Sequence, residues 1–172
     1  LQNARNTLRT YHLEDKITLR LSDGLKNVLP DEAEQIMICG MGGTLIRDIL
    51  QAAEWVRKPG MRLILQPMTH SEDVREYLCR SGFSIIKESC VMDAGRVYCC
   101  LCAEYSGSVF DVSPGYYYFG TLLHEKGYAE AYIKKQYSRV KKRADALQTA
   151  GRYPEEEKLL REVLVYYERL KK

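Results

Sequence analysis

Apolar residues follow two different periodicities along the chain, and the change between them falls near residue 115. In the earlier part, short continuous apolar runs alternate with amphipathic stretches. Gln35-Ile36-Met37-Ile38-Cys39 and Arg62-Leu63-Ile64-Leu65-Gln66-Pro67 are too short for helices and end at glycine or proline, as buried strands do. Between them Leu45, Ile46, Ile49, Leu50 and Ala53 recur at helical spacing from Thr44 to Val56, and Lys58-Pro59-Gly60 closes the helix. A further helix is expected from Ser71, its candidate N-cap, to Gly82. It feeds a strand at Phe83-Ser84-Ile85-Ile86-Lys87-Glu88, with another strand around Tyr98 at hairpin distance. Upstream, Leu1 to about Tyr11 reads as helix, and Lys16-Ile17-Thr18-Leu19-Arg20-Leu21 as a short strand ending at the turn Ser22-Asp23-Gly24.

Strands alternating with helices predict a doubly wound α/β domain over residues 1–115: a mostly parallel sheet covered on both faces, with the hairpin adding one antiparallel strand. Ligands in such sheets lie beyond the carboxyl ends of the strands, where Asp23-Gly24, Gly40-Met41-Gly42-Gly43 and Gln66-Pro67 fall. After Ser113-Pro114-Gly115 the period becomes helical, with Ala129, Ile133, Tyr137, Val140, Ala144 and Leu147 spaced 4, 4, 3, 4 and 3 apart. Gly151 and Pro154 interrupt this seam, and Leu160, Val163, Tyr167 and Leu170 resume it. Residues 116–172 therefore read as a C-terminal antiparallel helical hairpin.

Charge sharpens this division. Residues 1–120 hold 13 Lys and Arg against 15 Asp and Glu, a balance of −2, while residues 121–172 hold 13 against 8, a balance of +5. A basic appendage on a mildly acidic domain points to an anionic partner. Lys134, Lys135, Arg139, Lys141, Lys142 and Arg143 flank the seam and are the candidate contacts to phosphates, with a solvated helix face as the plainer explanation. No apolar stretch reaches the roughly 18 residues of a membrane span and no signal-peptide pattern opens the chain, so a cytoplasmic location is expected. The six cysteines form no CxxC pair and have no histidine at ligand spacing. No metal is expected. Cys99, Cys100 and Cys102 are expected as small reduced hydrophobes in a strand buried on both faces.

The candidate chemistry lies in the two glycine-bearing strand ends. Gly40-Met41-Gly42-Gly43 lets backbone approach a ligand closely, although a structural turn explains it equally well. It is neither GxGxxG nor a P-loop, which disfavours NTP hydrolysis. Asp23 could accept a hydrogen bond from a ligand amine or hydroxyl, or simply bond its own turn. His12, His70 and His124 lie far apart with no nucleophile motif beside them and are expected on the surface or in packing roles. Tyr116, Tyr117, Tyr118 and Phe119 could receive an unstacked base, the plainer reading being that they pack the helical hairpin against the domain.

Taken in order, Arg20-Leu21-Ser22-Asp23-Gly24-Leu25, Ile36-Met37-Ile38-Cys39-Gly40-Met41-Gly42-Gly43 and Leu63-Ile64-Leu65-Gln66-Pro67 resemble the bacterial tRNA (adenine-22-N1)-methyltransferases over essentially the whole chain. The resemblance implies a Rossmann-like fold, S-adenosyl-L-methionine as cofactor and tRNA as partner. It implies that Asp23, Gly24 and Leu25 face the cofactor's adenine. Gly40, Met41, Gly42 and Gly43 would border the cofactor and the incoming base, while the helical extension helps hold tRNA. Family members open with a strand, a glycine loop and an acidic residue that bind the methionine and ribose of the cofactor. This sequence contains neither element, so the fold is expected as an N-terminally truncated form of that sheet, with further residues preceding Leu1. Adenine N1 is neutral at pH 7 and attacks through an in-plane lone pair, so no catalytic triad is required. A noncatalytic RNA-binding or interaction module on the same scaffold is the alternative reading.

Overall fold

The computed structural model describes residues 1–171. Its sheet has four strands, β1 (Gln35–Gly42), β2 (Arg62–Thr69), β3 (Phe83–Asp93) and β4 (Arg96–Tyr105), in the spatial order β1-β2-β4-β3. β1 and β2 are parallel, whereas β4 runs antiparallel to both of its neighbours. The hairpin thus supplies the one antiparallel strand, and its return places that strand between β2 and β3 rather than at the sheet's edge. Ala94 and Gly95, both at positive φ, form the tight turn that joins β3 to β4.

Helices α1 (Gln2–Tyr11), α2 (Gly43–Ala52), α3 (Ser71–Arg80), α4 (Pro114–Phe119), α5 (Tyr128–Ala150) and α6 (Pro154–Leu170) complete the chain. Ile46 and Leu50 of α2, Val74 and Leu78 of α3, and Leu63, Leu65 and Leu101 of the sheet are all 1% exposed or less. Each leucine buried at this level contributes roughly 1.5–3 kcal/mol. The seam of α5 meets Leu160, Val163 and Tyr167 of α6, and the apolar cluster runs without a break from Ile36 to Tyr167. Gly151 closes α5 in the left-handed conformation, and Pro154 with Glu155, Glu156 and Glu157 opens α6. Leu170 falls outside the seam and is 39% exposed.

Several expectations change. Residues 17–21 form no strand. The free outer side of β1 is not taken up by this segment, and without a partner its β-branched residues alone do not make a strand. Arg20 is held instead by Glu32 and by the Asn27 carbonyl oxygen. Cys99 and Leu101 are buried, but the alternate residues Cys100 and Cys102 are half-buried and Met37 is 68% exposed. The sheet is therefore buried on the face that α2 and α3 cover, and only partly on the other. All six cysteines are free. Ser71 does not cap α3; His70 occupies the cap position, and the Ser71 hydroxyl meets the Tyr132 hydroxyl at 2.6 Å.

Candidate functional site

The two glycine-bearing segments meet the two ends of α2. Gly40-Met41-Gly42-Gly43 is not an open loop. Gly40, at φ 77°, lies between the two paired residues of a bulge, because Cys39 pairs with Gln66 and Met41 with Pro67. Its amide donates to Gln66 Oε1 at 2.9 Å. Gly42 ends the strand and Gly43 begins α2 directly. A Cβ at Gly43 would collide with the His70 carbonyl and lie 2.6 Å from the Thr69 carbonyl oxygen, so only glycine lets the helix start so close to the end of β2. Thr44 then donates to Asp73 at 2.7 Å, tying the first turns of α2 and α3 together.

Asp23, Gly24 and Leu25 approach the same helix further along. Gly24 takes φ 58°, and a Cβ there would sit 3.1 Å from the Ile49 side chain. Gly43 and Ile49 lie about 9 Å apart along the axis at 1.5 Å per residue. Asp23, Leu25, Leu45, Ile49 and Trp55 help line a cavity of about 470 Å3. Residues 40–43 do not line it, so the two segments share a helix but not this cavity. The Asp23 side chain is 83% exposed and pairs with Lys26 at 2.5 Å. The hydrogen bond and charge of Lys26 lower its pKa, which keeps it an ionised, accepting carboxylate.

The six basic residues singled out on α5 are all exposed. Three are already engaged: Arg139 with Glu72 at 2.8 Å, Lys141 with Asp145 at 3.0 Å, and Arg143 with Glu156 at 2.8 Å. The aromatic run on α4 is mostly packing. Tyr117 and Phe119 are buried, Phe119 against the Tyr167 ring, and the Arg139 guanidinium lies over Tyr118. His12, His70 and His124 are exposed. His70, Glu72 and Asp73 bring ligand-type atoms within 4.8 Å of one another, but Arg139 engages Glu72, and Thr44 and Arg47 engage Asp73. They belong to an ion-pair network.

Beside them lies a buried polar junction that the sequence does not announce. Arg75 and Glu88, both with fully buried side chains, pair at 2.7 Å. Arg75 also donates to Ser71 and to the Tyr117 carbonyl, while Glu88 accepts from the amide and hydroxyl of Thr121 at 2.6 and 2.9 Å. Burial works against the charge on Arg75, yet Tyr132 and Glu88 hold its pKa well above the ordinary range. A charged pair at helical and strand positions looks like surface residues in sequence. Its one local signal is Gly120, at φ 61°, where a Cβ would collide with Glu88.

A family model described as a methyltransferase domain matches residues 1–101. The chain belongs to that methyltransferase-domain family. The Bacillus subtilis tRNA (adenine(22)-N(1))-methyltransferase is 36% identical over 102 residues, covering 59% of this chain and 43% of the relative. The chain thus spans less than half the length of the curated relative it matches. Among solved structures, the Bacillus subtilis M1A22 tRNA methyltransferase TrmK is 29% identical with a TM-score of 0.77, over 98% of this chain and 74% of that one. A Streptococcus pneumoniae protein described as a candidate tRNA (m1A22) methyltransferase, in complex with S-adenosyl-L-methionine, is 30% identical with a TM-score of 0.74. That match covers 95% of this chain and 75% of the other. The sheet and its helices are accordingly a Rossmann-like methyltransferase fold. In this family member the helical hairpin falls beyond the residues the family model matches.

Proposed function

We propose that this chain is part of a tRNA (adenine-N1)-methyltransferase that modifies adenine 22 with S-adenosyl-L-methionine as methyl donor. The observation that carries the reading is the placement of Asp23-Gly24-Leu25 and Gly40-Met41-Gly42-Gly43 against one helix, in a chain 36% identical to a tRNA (adenine(22)-N(1))-methyltransferase. The cavity at Asp23 has a volume of about 470 Å3, within the ordinary range for small-molecule sites. Its largely apolar lining, with the carboxylates of Asp23 and Asp48 at the wall, suits an adenosyl group. Asp23 would accept a hydrogen bond from an amine or hydroxyl of that group, with Leu25, Ile49 and Trp55 beside the flat base.

When bound, the cofactor supplies an electrophilic methyl on a sulfonium. The lone pair of adenine N1 forms the new N–C bond as the S–C bond breaks. Positive charge passes to the methylated base, and no proton has to be removed. The chain's contribution is then positioning, which can supply much of the acceleration without a general base. The bulge at Gly40, where a Cβ would meet nothing within 4 Å, leaves bare backbone where the base would enter. The basic face of α5 would hold the phosphates of tRNA. Among the described residues no helix is long and apolar enough to cross a membrane, and a tRNA substrate suits the cytoplasm.

Transfer of label from S-adenosyl-L-methionine to a tRNA transcript tests the reading. It uses this chain alone and joined to the N-terminal cofactor-binding segment of the Bacillus subtilis relative. Label recovered as N1-methyladenine supports it. Tight tRNA binding without transfer by either protein would favour the noncatalytic RNA-binding module.

A further inference from the structure

A second cavity, of about 560 Å3, opens between the carboxyl end of β2, the first residues of β4 and the side of α5. Its walls have two chemistries. Pro67, Met68, Val97 and Tyr98 make one side apolar, while Arg96, Lys135 and Arg139 bring cations from two different elements. No Asp or Glu lines it among the described residues. Arg139 is steadied by Glu72, whereas Arg96 and Lys135 have no ion-pair partner among the described residues. With Arg139 paired, Arg96 and Lys135 leave two uncompensated positive charges in a cleft, which attract an anion.

The cleft adjoins the reacting end of the fold. His70 lines it, in the left-handed backbone conformation at φ 48°, and the His70 carbonyl is what a Cβ at Gly43 would strike. It therefore begins where the Gly-Met-Gly-Gly segment ends. An apolar, aromatic surface beside paired cations is the pattern that takes a base by stacking and its phosphate by charge.

We propose that this cleft binds one nucleotide of the RNA strand flanking the target adenine, with the base against Met68 and Tyr98 and the phosphate between Arg96 and Lys135. This rests on the tRNA methyltransferase reading and goes beyond it in two ways. It adds Arg96, from the β-hairpin, to the RNA contacts. It also separates Lys135 and Arg139 from Lys141, Lys142 and Arg143, none of which lines the cavity.

The experiment measures binding of a tRNA transcript to the chain by fluorescence anisotropy across a salt series. Arg96→Ala and Lys135→Ala are compared with Lys87→Ala, which removes an exposed charge from β3 outside the cleft. Each cleft variant is expected to raise Kd about fivefold to tenfold at 0.1 M salt and to lower the salt slope by about 1, as loss of one phosphate contact does. Lys87→Ala should leave both unchanged. If the wild-type chain binds tRNA and the cleft variants match it, or Lys87→Ala matches the cleft variants, the cleft assignment is overturned and the methyltransferase reading stands. If the wild-type chain shows no tRNA binding, both fall.

Discussion

Replacing Glu88 by Gln removes one charge from a pair whose side chains are fully buried and leaves the other in place. Arg75 has no route to neutrality, because a guanidinium does not give up its proton in a protein even when its partner is removed. Breaking one side of a buried pair costs about 3–5 kcal/mol. For a chain of 172 residues, 1 kcal/mol corresponds to about 2–4 °C, so the melting temperature should fall by about 6–20 °C. The loss should be cooperative across the whole chain. The junction joins α3, β3, the segment between α4 and α5, and α5 itself, through Thr121, Ser71 and Tyr132. Thermal unfolding followed by far-ultraviolet circular dichroism measures the shift, with urea titration giving the free energy. A second variant, Arg75→Met with Glu88→Leu, removes both charges and should recover part of the loss. A Glu88→Gln protein melting within about 2 °C of wild type would refute the reasoning. So would a double variant no more stable than the single one, because the cost would then not come from an unpaired charge.

Asp23→Ala should weaken S-adenosyl-L-methionine binding about tenfold by calorimetry, the loss of one charge-assisted hydrogen bond, while leaving the melting temperature unchanged; unchanged affinity would remove Asp23 from the site. Gly43→Ala should destabilise the chain by about 1–3 kcal/mol in urea, because its Cβ has no room beside the end of β2. A wild-type unfolding midpoint would show that the helix start can shift to make space. Glu32 is expected to titrate near pH 2, its hydrogen bonds from Arg20 and the Leu29 amide holding it below the usual 4.5. A depressed carboxylate contributes stability that is fully present above the unfolded pKa and is lost as pH falls from about 4.5 through about 2. Carbon-detected NMR titration should return Glu32 towards 4.5 in Arg20→Ala, and an unmoved midpoint would discard the pair. Lys142→Glu should weaken tRNA binding without altering stability, and unchanged binding would limit the RNA surface on α5 to the cleft side.

Legibility followed the locality of the forces involved. The helical seam of α5 and α6 was readable because burial on one face repeats every three or four residues, and Ala129, Ile133, Val140 and Leu160 are buried as that period requires. β2 was readable from its compact apolar run. Lys16–Leu21 misled because a strand is completed by its neighbour, and propensity does not disclose whether a partner is present. The bulge at Gly40 was legible only as glycine richness. Its register depends on pairing with Gln66 and Pro67, some 26 residues away in the first case. Arg75 and Glu88 were invisible for a related reason: a charged residue announces solvent unless its partner and the elements that bury it are known together. Arg96 was missed because it lies outside the basic run, and only the return of β4 towards α5 brings it near Lys135.

The central claim is methylation of adenine N1 at position 22, and the most direct test gives the enzyme two tRNA transcripts that differ only in carrying adenine or guanine there. The chain joined to the Bacillus subtilis N-terminal segment is incubated with each and with labelled S-adenosyl-L-methionine, and reverse-transcription stops locate the product. The account predicts label and a stop at position 22 in the adenine transcript and neither in the guanine transcript. Equal labelling of both transcripts, or a stop elsewhere, would contradict it.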